Sequence, residues 1–224
     1  MVRPTSLPTK TRRIATFAAA GLAAAALGVA VPSAASADPV IRVDYPVNGT
    51  TAIKATGSTL QLGPGALKAS LDLGTGDLTA DLEMPPAHGE FKQFGIIPVS
   101  VTTTMIEETP TTGKVDLATG ATTSTSKVTL KLSNLKVAGI PVPVGNNCKT
   151  KSPANINLTS GADWDVLNGG TMSGTYTIPE FQNCLLAAPL INLTVPGPDN
   201  TISLKLGAAT VPPEIAKKLA AIGD

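Results

Sequence analysis

Among the 224 residues, one histidine, His88, and two cysteines, Cys148 and Cys184, hold most of the chain's capacity for nucleophilic or metal chemistry. A catalytic triad needs a base, and His88 is the only imidazole that could serve. It follows Pro85-Pro86 in a predicted loop through Ala87-His88-Gly89-Glu90, where a solvated histidine is the ordinary outcome, and no G-x-S-x-G elbow accompanies it. One imidazole and two thiols cannot build a multi-histidine centre, a zinc ribbon or an iron-sulfur cluster without other ligand types. No metal and no cofactor are expected. Carboxylates are more plentiful, and Asp72, Asp77, Asp81, Glu83, Glu107, Glu108, Asp163 and Asp165 could supply the pair that glycoside hydrolysis uses. Asp72, Asp81 and Glu83, however, fall on the polar face of alternating runs, and aromatic platforms for sugars are scarce, at 3% of residues. Asp72-Leu73-Gly74-Thr75-Gly76-Asp77 surrounds glycines with carboxylates as a calcium loop would, but it has no EF-hand spacing and reads as a hairpin turn. No catalytic residue is assigned.

Cys148 and Cys184 read as a disulfide, the natural state of two thiols in an oxidising compartment. Closing a loop of 37 residues stabilises by roughly 4 kcal/mol on the chain-entropy account. The remaining candidates are apolar. Phe91 and Phe94, with Gly95-Ile96-Ile97 behind them, form the largest apolar cluster near a predicted loop; Trp164 stands between Asp163 and Asp165, and Phe181 lies just ahead of Cys184. Core packing accounts for such residues, and so does a pocket between sheets that accepts a lipid or another hydrophobic molecule. Phe91, Phe94, Trp164 and Phe181 are therefore the candidate ligand-binding residues. Asn48-Gly49-Thr50, Asn157-Leu158-Thr159 and Asn192-Leu193-Thr194 have the form of glycosylation sequons and say nothing about function.

These residues are carried by a chain that begins with an export signal. Arg3, Lys10, Arg12 and Arg13 precede an apolar stretch from Ile14 to Val31, and Ala35-Ser36-Ala37 gives a small-residue cleavage pattern. Residues 1–37 are expected to be removed. Arg12-Arg13 invites a twin-arginine reading, but Ala15 stands where that signal carries a large apolar residue, so general secretion fits better. The net charge of +1 belongs to this segment: the remaining 187 residues hold 13 Lys+Arg against 16 Asp+Glu, a balance of −3. Without a basic field, nucleic acid is not an expected partner. No second apolar span follows, so the mature protein is expected in the extracellular space or around the cell envelope.

Period-two patterning dominates residues 38–210 and predicts a single domain. Leu67, Ala69, Leu71 and Leu73 alternate with polar residues, as do Leu78, Ala80, Leu82 and Met84, and Gly74-Thr75-Gly76-Asp77 lies between them. Further runs lie at Ile97 to Met105, Val128 to Leu132, Met172 to Ile178, Ile191 to Val195 and Ile202 to Leu206. About ten strands result, in an all-β antiparallel sandwich or barrel. Leu71-Asp72-Leu73-Gly74-Thr75-Gly76 returns 44 residues later as Val115-Asp116-Leu117-Ala118-Thr119-Gly120, and Gly95-Ile96 returns as Gly139-Ile140 at the same displacement. Gly76 to Pro85 also matches Gly170 to Pro179 in residue class, so a hairpin plan is reused. In the tail 211–224, Ile215, Leu219 and Ile222 stand at the spacing of a short helix.

The Ala-rich signal, the Asp-Leu-x-Thr-Gly turns and the segment Ala138-Gly139-Ile140-Pro141-Val142-Pro143-Val144-Gly145-Asn146-Asn147-Cys148, followed by Ile178-Pro179 and Asn183-Cys184, resemble secreted β-rich proteins of actinobacteria. The group has no assigned activity, so the resemblance implies compartment and fold and transfers no catalytic residue. Residues and resemblance converge on a secreted, non-enzymatic binding protein for an apolar or envelope-derived ligand. A structural or adhesive surface protein is the second reading, and a hydrolase the third.

Overall fold

The computed structural model describes residues 40–211; the predicted signal segment and the tail helix lie outside them. In chain order the strands are β1 (Val40–Ile53), β2 (Ser58–Asp72), β3 (Asp77–Glu83), β4 (Ala87–Gln93), β5 (Ile97–Val115), β6 (Thr122–Val137), β7 (Ile140–Pro141), β8 (Lys149–Thr150), β9 (Ala154–Ser160), β10 (Gly170–Ile178), β11 (Phe181–Gln182) and β12 (Gly197–Leu206). A single 3-10 turn and a seven-residue helix, α1 (Ala188–Thr194), precede the last strand. Eight strands close an antiparallel barrel in the order β6-β9-β10-β12-β1-β2-β3-β5, with β5 returning to β6. Closure leaves no open edge in the ring, and eight strands leave an interior just wide enough for side chains or one slender ligand.

Inward-facing residues follow the alternation closely. In β1, Tyr45, Val47, Thr51 and Ile53 are buried. In β2 the buried set is Ser58, Leu60 and Leu62, then Ala69 and Leu71, a change from even to odd positions. That change coincides with a register shift against β1, where Val47 pairs with Gly65 but Gly49 pairs with Leu62. One extra residue in β2 turns the following side chains back inward, as a bulge must.

The long hairpin of β5 and β6 divides the molecule into two halves. At its lower end β5 pairs with β3 through Ala80 and Thr111, and higher up it pairs instead with β4, from Ala87 opposite Thr103 to Gln93 opposite Ile97. Glu107 bridges the point of divergence: its carboxylate accepts hydrogen bonds from the Leu82 N–H at 2.9 Å, the Thr111 N–H at 3.0 Å and the Thr111 hydroxyl at 2.6 Å. Above it β2 faces β4 without pairing to it. Gly89 is what lets the two strands approach, since a Cβ there would lie 3.0 Å from Leu60 Cγ. The lower half is thus a fully hydrogen-bonded ring, whereas the upper half has a seam between β2 and β4.

Two expectations are corrected. Residues 87–90 form part of β4 rather than a loop; of its inward positions Ala87, Gly89, Phe91 and Gln93 only one is a large apolar residue, so no apolar run marks the strand. Ile191 to Val195 is not a strand. Pro189 opens α1, which presents Ala187, Ile191 and Val195 inward at helical spacing and leaves Leu193 exposed.

Cys148 and Cys184 form the expected disulfide, with Cα atoms 4.3 Å apart and no solvent exposure at either residue. It ties the segment leading into α1 to the start of β8. No helix among the described residues is long and apolar enough to cross a membrane.

Candidate functional site

The barrel interior contains two apolar chambers stacked along its axis. The lower is lined by aliphatic residues of the hydrogen-bonded ring, including Val47, Leu71, Val128, Ile156 and Leu204, and by Trp164 and Val166 from below. The upper is lined by Ile53, Leu60, Phe91, Leu132, Tyr176 and Phe181 among others. Met105 is the one residue common to both linings. An unbranched thioether side chain therefore stands where the two chambers meet, and it can change rotamer with little penalty.

Each chamber is narrow, with about 60 Å³ in the lower and about 70 Å³ in the upper open to the centres of water-sized spheres. A single water-sized group needs about 10–15 Å³ measured this way, so each chamber holds roughly four to seven such groups. That suits a slender apolar group. A third void of about 20 Å³ lies beyond the upper chamber and shares Phe91, Val101, Leu132 and Val195 with it. It is roofed by Leu190, Ile191 and Thr194 of α1 and carries Gln93 in its lining.

The lower end is closed by the loop 161–169, which is bound densely to the barrel. The Trp164 indole N–H donates to the Gly120 carbonyl at 3.2 Å and to the Thr122 hydroxyl at 3.0 Å, and the Tyr45 hydroxyl donates to the Val166 carbonyl at 2.6 Å. The rings of Tyr45 and Trp164 pack with centroids 6.2 Å apart. Burial, followed by the neighbouring Asp165 charge, raises the Tyr45 pKa and keeps the phenol protonated as a donor. Asp165 Oδ1 in turn accepts from the N–H groups of Leu167 and Asn168 at 2.9 and 2.7 Å.

This last turn repeats one found twice elsewhere. Asp72 Oδ1 accepts from Gly74 and Thr75 N–H at 2.8 and 3.1 Å, and Asp116 Oδ1 accepts from Ala118 and Thr119 N–H at the same two distances. Each turn ends in a left-handed glycine four residues on, Gly76, Gly120 and Gly169, with φ of 76°, 76° and 78°. The echo at 44 residues is thus one Asx turn used twice, and Asp165-Val166-Leu167-Asn168-Gly169 is a third copy whose changed residues hid it. The Asp72 carboxylate is taken up by backbone donors in this turn, and no cluster suited to a metal ion occurs among the described residues.

The upper end is closed differently. Asn192 fixes α1 to β11, accepting from the Phe181 N–H at 2.7 Å and donating to the Phe181 carbonyl at 2.9 Å, and the disulfide anchors the same side. Toward β4 the helix is held by apolar contact, with no hydrogen bond between them among the described residues. The sequon at Asn192 thus has a structural use. Inside, the buried polar groups pair: Thr51 with the Tyr176 hydroxyl at 2.7 Å, and Asn200 with the Tyr176 and Gly197 carbonyls at 3.2 and 2.8 Å. Gln93 is the exception. It is 5% exposed, and its side-chain nitrogen has no hydrogen-bond partner among the described residues.

Of the four aromatic candidates, Phe91 and Phe181 line the upper chamber and Trp164 the lower. Phe94 does not join them; it sits on the exposed β4–β5 hairpin tip in a left-handed conformation, φ 50°, which points it away from the barrel. His88 lies on the outer face of β4, 3.4 Å from the carboxylate of Glu90, and both side chains are more than half exposed. Met105 and Gln93 escaped the sequence reading because a methionine in an alternating run and a glutamine at a strand end are unremarkable by type. Comparison with protein families, with curated proteins and with solved structures found no match.

Proposed function

We propose that this protein is a secreted, non-enzymatic binding protein of the extracellular space or cell envelope that carries a slender apolar ligand inside its barrel. The observation that carries the reading is the pair of apolar chambers that both border Met105. Packed interiors leave few voids larger than water, and side chains could have filled these had the barrel been only a scaffold. The export-like segment 1–37 and the buried disulfide support a site of action outside the cytoplasm.

The test is extraction and mass spectrometry of the full chain purified from a secreting host, together with the rise in Tm on adding n-decane. Bound apolar molecules and a raised Tm are expected. Met105→Phe, which enlarges the side chain where the chambers meet, should still accept short alkanes but lose longer ones by about tenfold, with the stability cost of about 1–3 kcal/mol typical of an overpacked core. If nothing apolar is extracted and n-decane leaves Tm unchanged, the protein is a scaffold or surface component instead.

A further inference from the structure

We infer that the upper end of the barrel is a docking face for an anionic phospholipid bilayer, with apolar tips that enter the interface and two lysines that meet the headgroups. Phe94, Ile96, Ile140, Leu185, Leu186 and Leu193 are 61% to 97% exposed. Single exposed apolar side chains are ordinary, whereas six gathered at one end mark an interaction surface. Neighbouring elements bring them there. Phe94 and Ile96 stand on the turn between β4 and β5, and Ile140 on the turn between β6 and β7. The two turns are joined by the Val99–Val137 pair and by the Ala138 N–H, which donates to the Pro98 carbonyl at 2.8 Å. Leu193 belongs to α1, whose inner residues share a void with Gln93, Val99 and Leu135 of the same strand ends. Leu185 lies beside Gly145, in the segment that the Val142 N–H ties to the Leu135 carbonyl at 2.9 Å. Phe94 and Leu185 hold left-handed φ values of 50° and 52°, which bulky residues seldom adopt and which concentrate at functional sites.

Charge selects the partner. Lys92 is two residues from Phe94, and Lys136 pairs with Pro141, next to Ile140; both line one outer groove with Phe91, Pro98 and Gly139. Neither makes an ion pair among the described residues, and the one carboxylate lining the groove, Glu90, lies beside His88. At the same end Lys54 and Lys151 are matched by Asp199 and Glu180. The floor has exposed leucines too, Leu73, Leu117 and Leu167, but they sit in the three Asx turns with Asp72, Asp116 and Asp165, which an anionic surface repels. A negative surface therefore draws the upper end toward itself. Val40 pairs with Asp72 and Thr210 with Asp44, so the described chain both starts and stops at the floor and leaves the upper end clear. Apolar side chains carried on several turns, rather than in one groove, suit a fluid interface that each tip enters separately.

Flotation of the full-length protein with phosphatidylglycerol–phosphatidylcholine vesicles tests this face. Binding is expected, and Lys92→Ala and Lys136→Ala should each weaken it about fivefold. Ile96→Asp combined with Leu186→Asp should weaken it at least about tenfold with Tm unchanged, since both side chains are exposed. Leu167→Asp, on the floor, should bind as wild type does. Phe94→Trp reports the orientation: a blue-shifted emission component, quenched by brominated lipid, should appear on adding vesicles, while wild-type emission, from Trp164 alone, should not shift. Absence of flotation, equal binding to phosphatidylcholine alone, equal weakening by Leu167→Asp, or a shift in Trp164 emission would overturn the inference. Dimerisation in gel filtration that the Ile96 and Leu186 changes abolish, without flotation, would assign the face to a second copy instead. Extraction of an apolar ligand is a separate readout, so this face and the chambers fail independently.

Discussion

The two ends of the barrel are closed by opposite means. Below, a hydrogen-bonded ring is stopped by a loop whose indole and aspartate groups are satisfied by the barrel or by the loop itself and whose Val166 carbonyl accepts from the Tyr45 phenol of β1. Above, the wall has a seam between β2 and β4, and the cover is a helix of two turns that is tied on one side and leaves a buried amide unpaired on the other. Dense local bonding makes the first a floor. Sparse, one-sided attachment makes the second the part of the molecule that opens at least expense, since local opening follows the regions with fewest buried contacts and bonds.

The largest expected effect lies at the cover. Replacing Cys148 and Cys184 by alanine removes the constraint on a loop of 36 residues' separation and should lower stability by about 4 kcal/mol in denaturant titration. Hydrogen exchange should then rise first in α1 and β11, with the floor still protected; uniform loss of protection would erase the distinction between the ends. Next, Trp164→Ala should cost about 3 kcal/mol, the low end for a large aromatic because the side chain is only partly buried. It should open the lower chamber to solvent, read as faster exchange in loop 161–169 and at Thr122, while exchange in α1 stays as in wild type.

The smallest effect is acid sensitivity of the floor. The Asn168 and Leu167 N–H groups hold the Asp165 pKa below the usual carboxylate range, the Thr171 hydroxyl and N–H do so for Asp163, and the Ala118 and Thr119 N–H groups for Asp116. Because these folded-state pKa values are depressed, the stabilisation is complete above the ordinary aspartate pKa of about 3.9 and disappears as pH falls through the lower folded values. At the cover the comparable group is Glu180, lowered by its hydrogen bond from Lys151. Trp164 fluorescence should therefore change on acidification from pH 5 toward pH 2, before the far-ultraviolet signal of the strands does. A simultaneous change in both would show that the floor has no separate acid response.

Much of the floor was readable in the sequence, and little of the cover was. Alternation placed Leu67 to Leu73 and Leu78 to Met84 on strands, and the glycine turns at Asp72 and Asp116 announced hairpins, because an Asx turn carries its own hydrogen bonds and leaves a local residue pattern. The cysteine pair was legible for a similar reason, being the only two thiols. By contrast, β4 buries alanine, glycine and glutamine and sets Gly89 against Leu60, a contact between distant residues that no local period reveals. The Ile191 to Val195 alternation reads as a strand because a helix of two turns is too short for its period to outweigh chance. Gln93 could be recognised only by counting hydrogen bonds in three dimensions.

The three Asx turns also bear on the order in which the chain assembles. Each joins residues close in sequence and costs little loop-closure entropy, so the hairpins β2–β3, β5–β6 and the turn into β10 can form early. The pairing of β1 with β12, Val47 opposite Leu206, joins opposite ends of the described chain and seals the ring last. Until that seam shuts, the future chambers are an open apolar sheet, exposed to whatever hydrophobic molecules surround the folding chain.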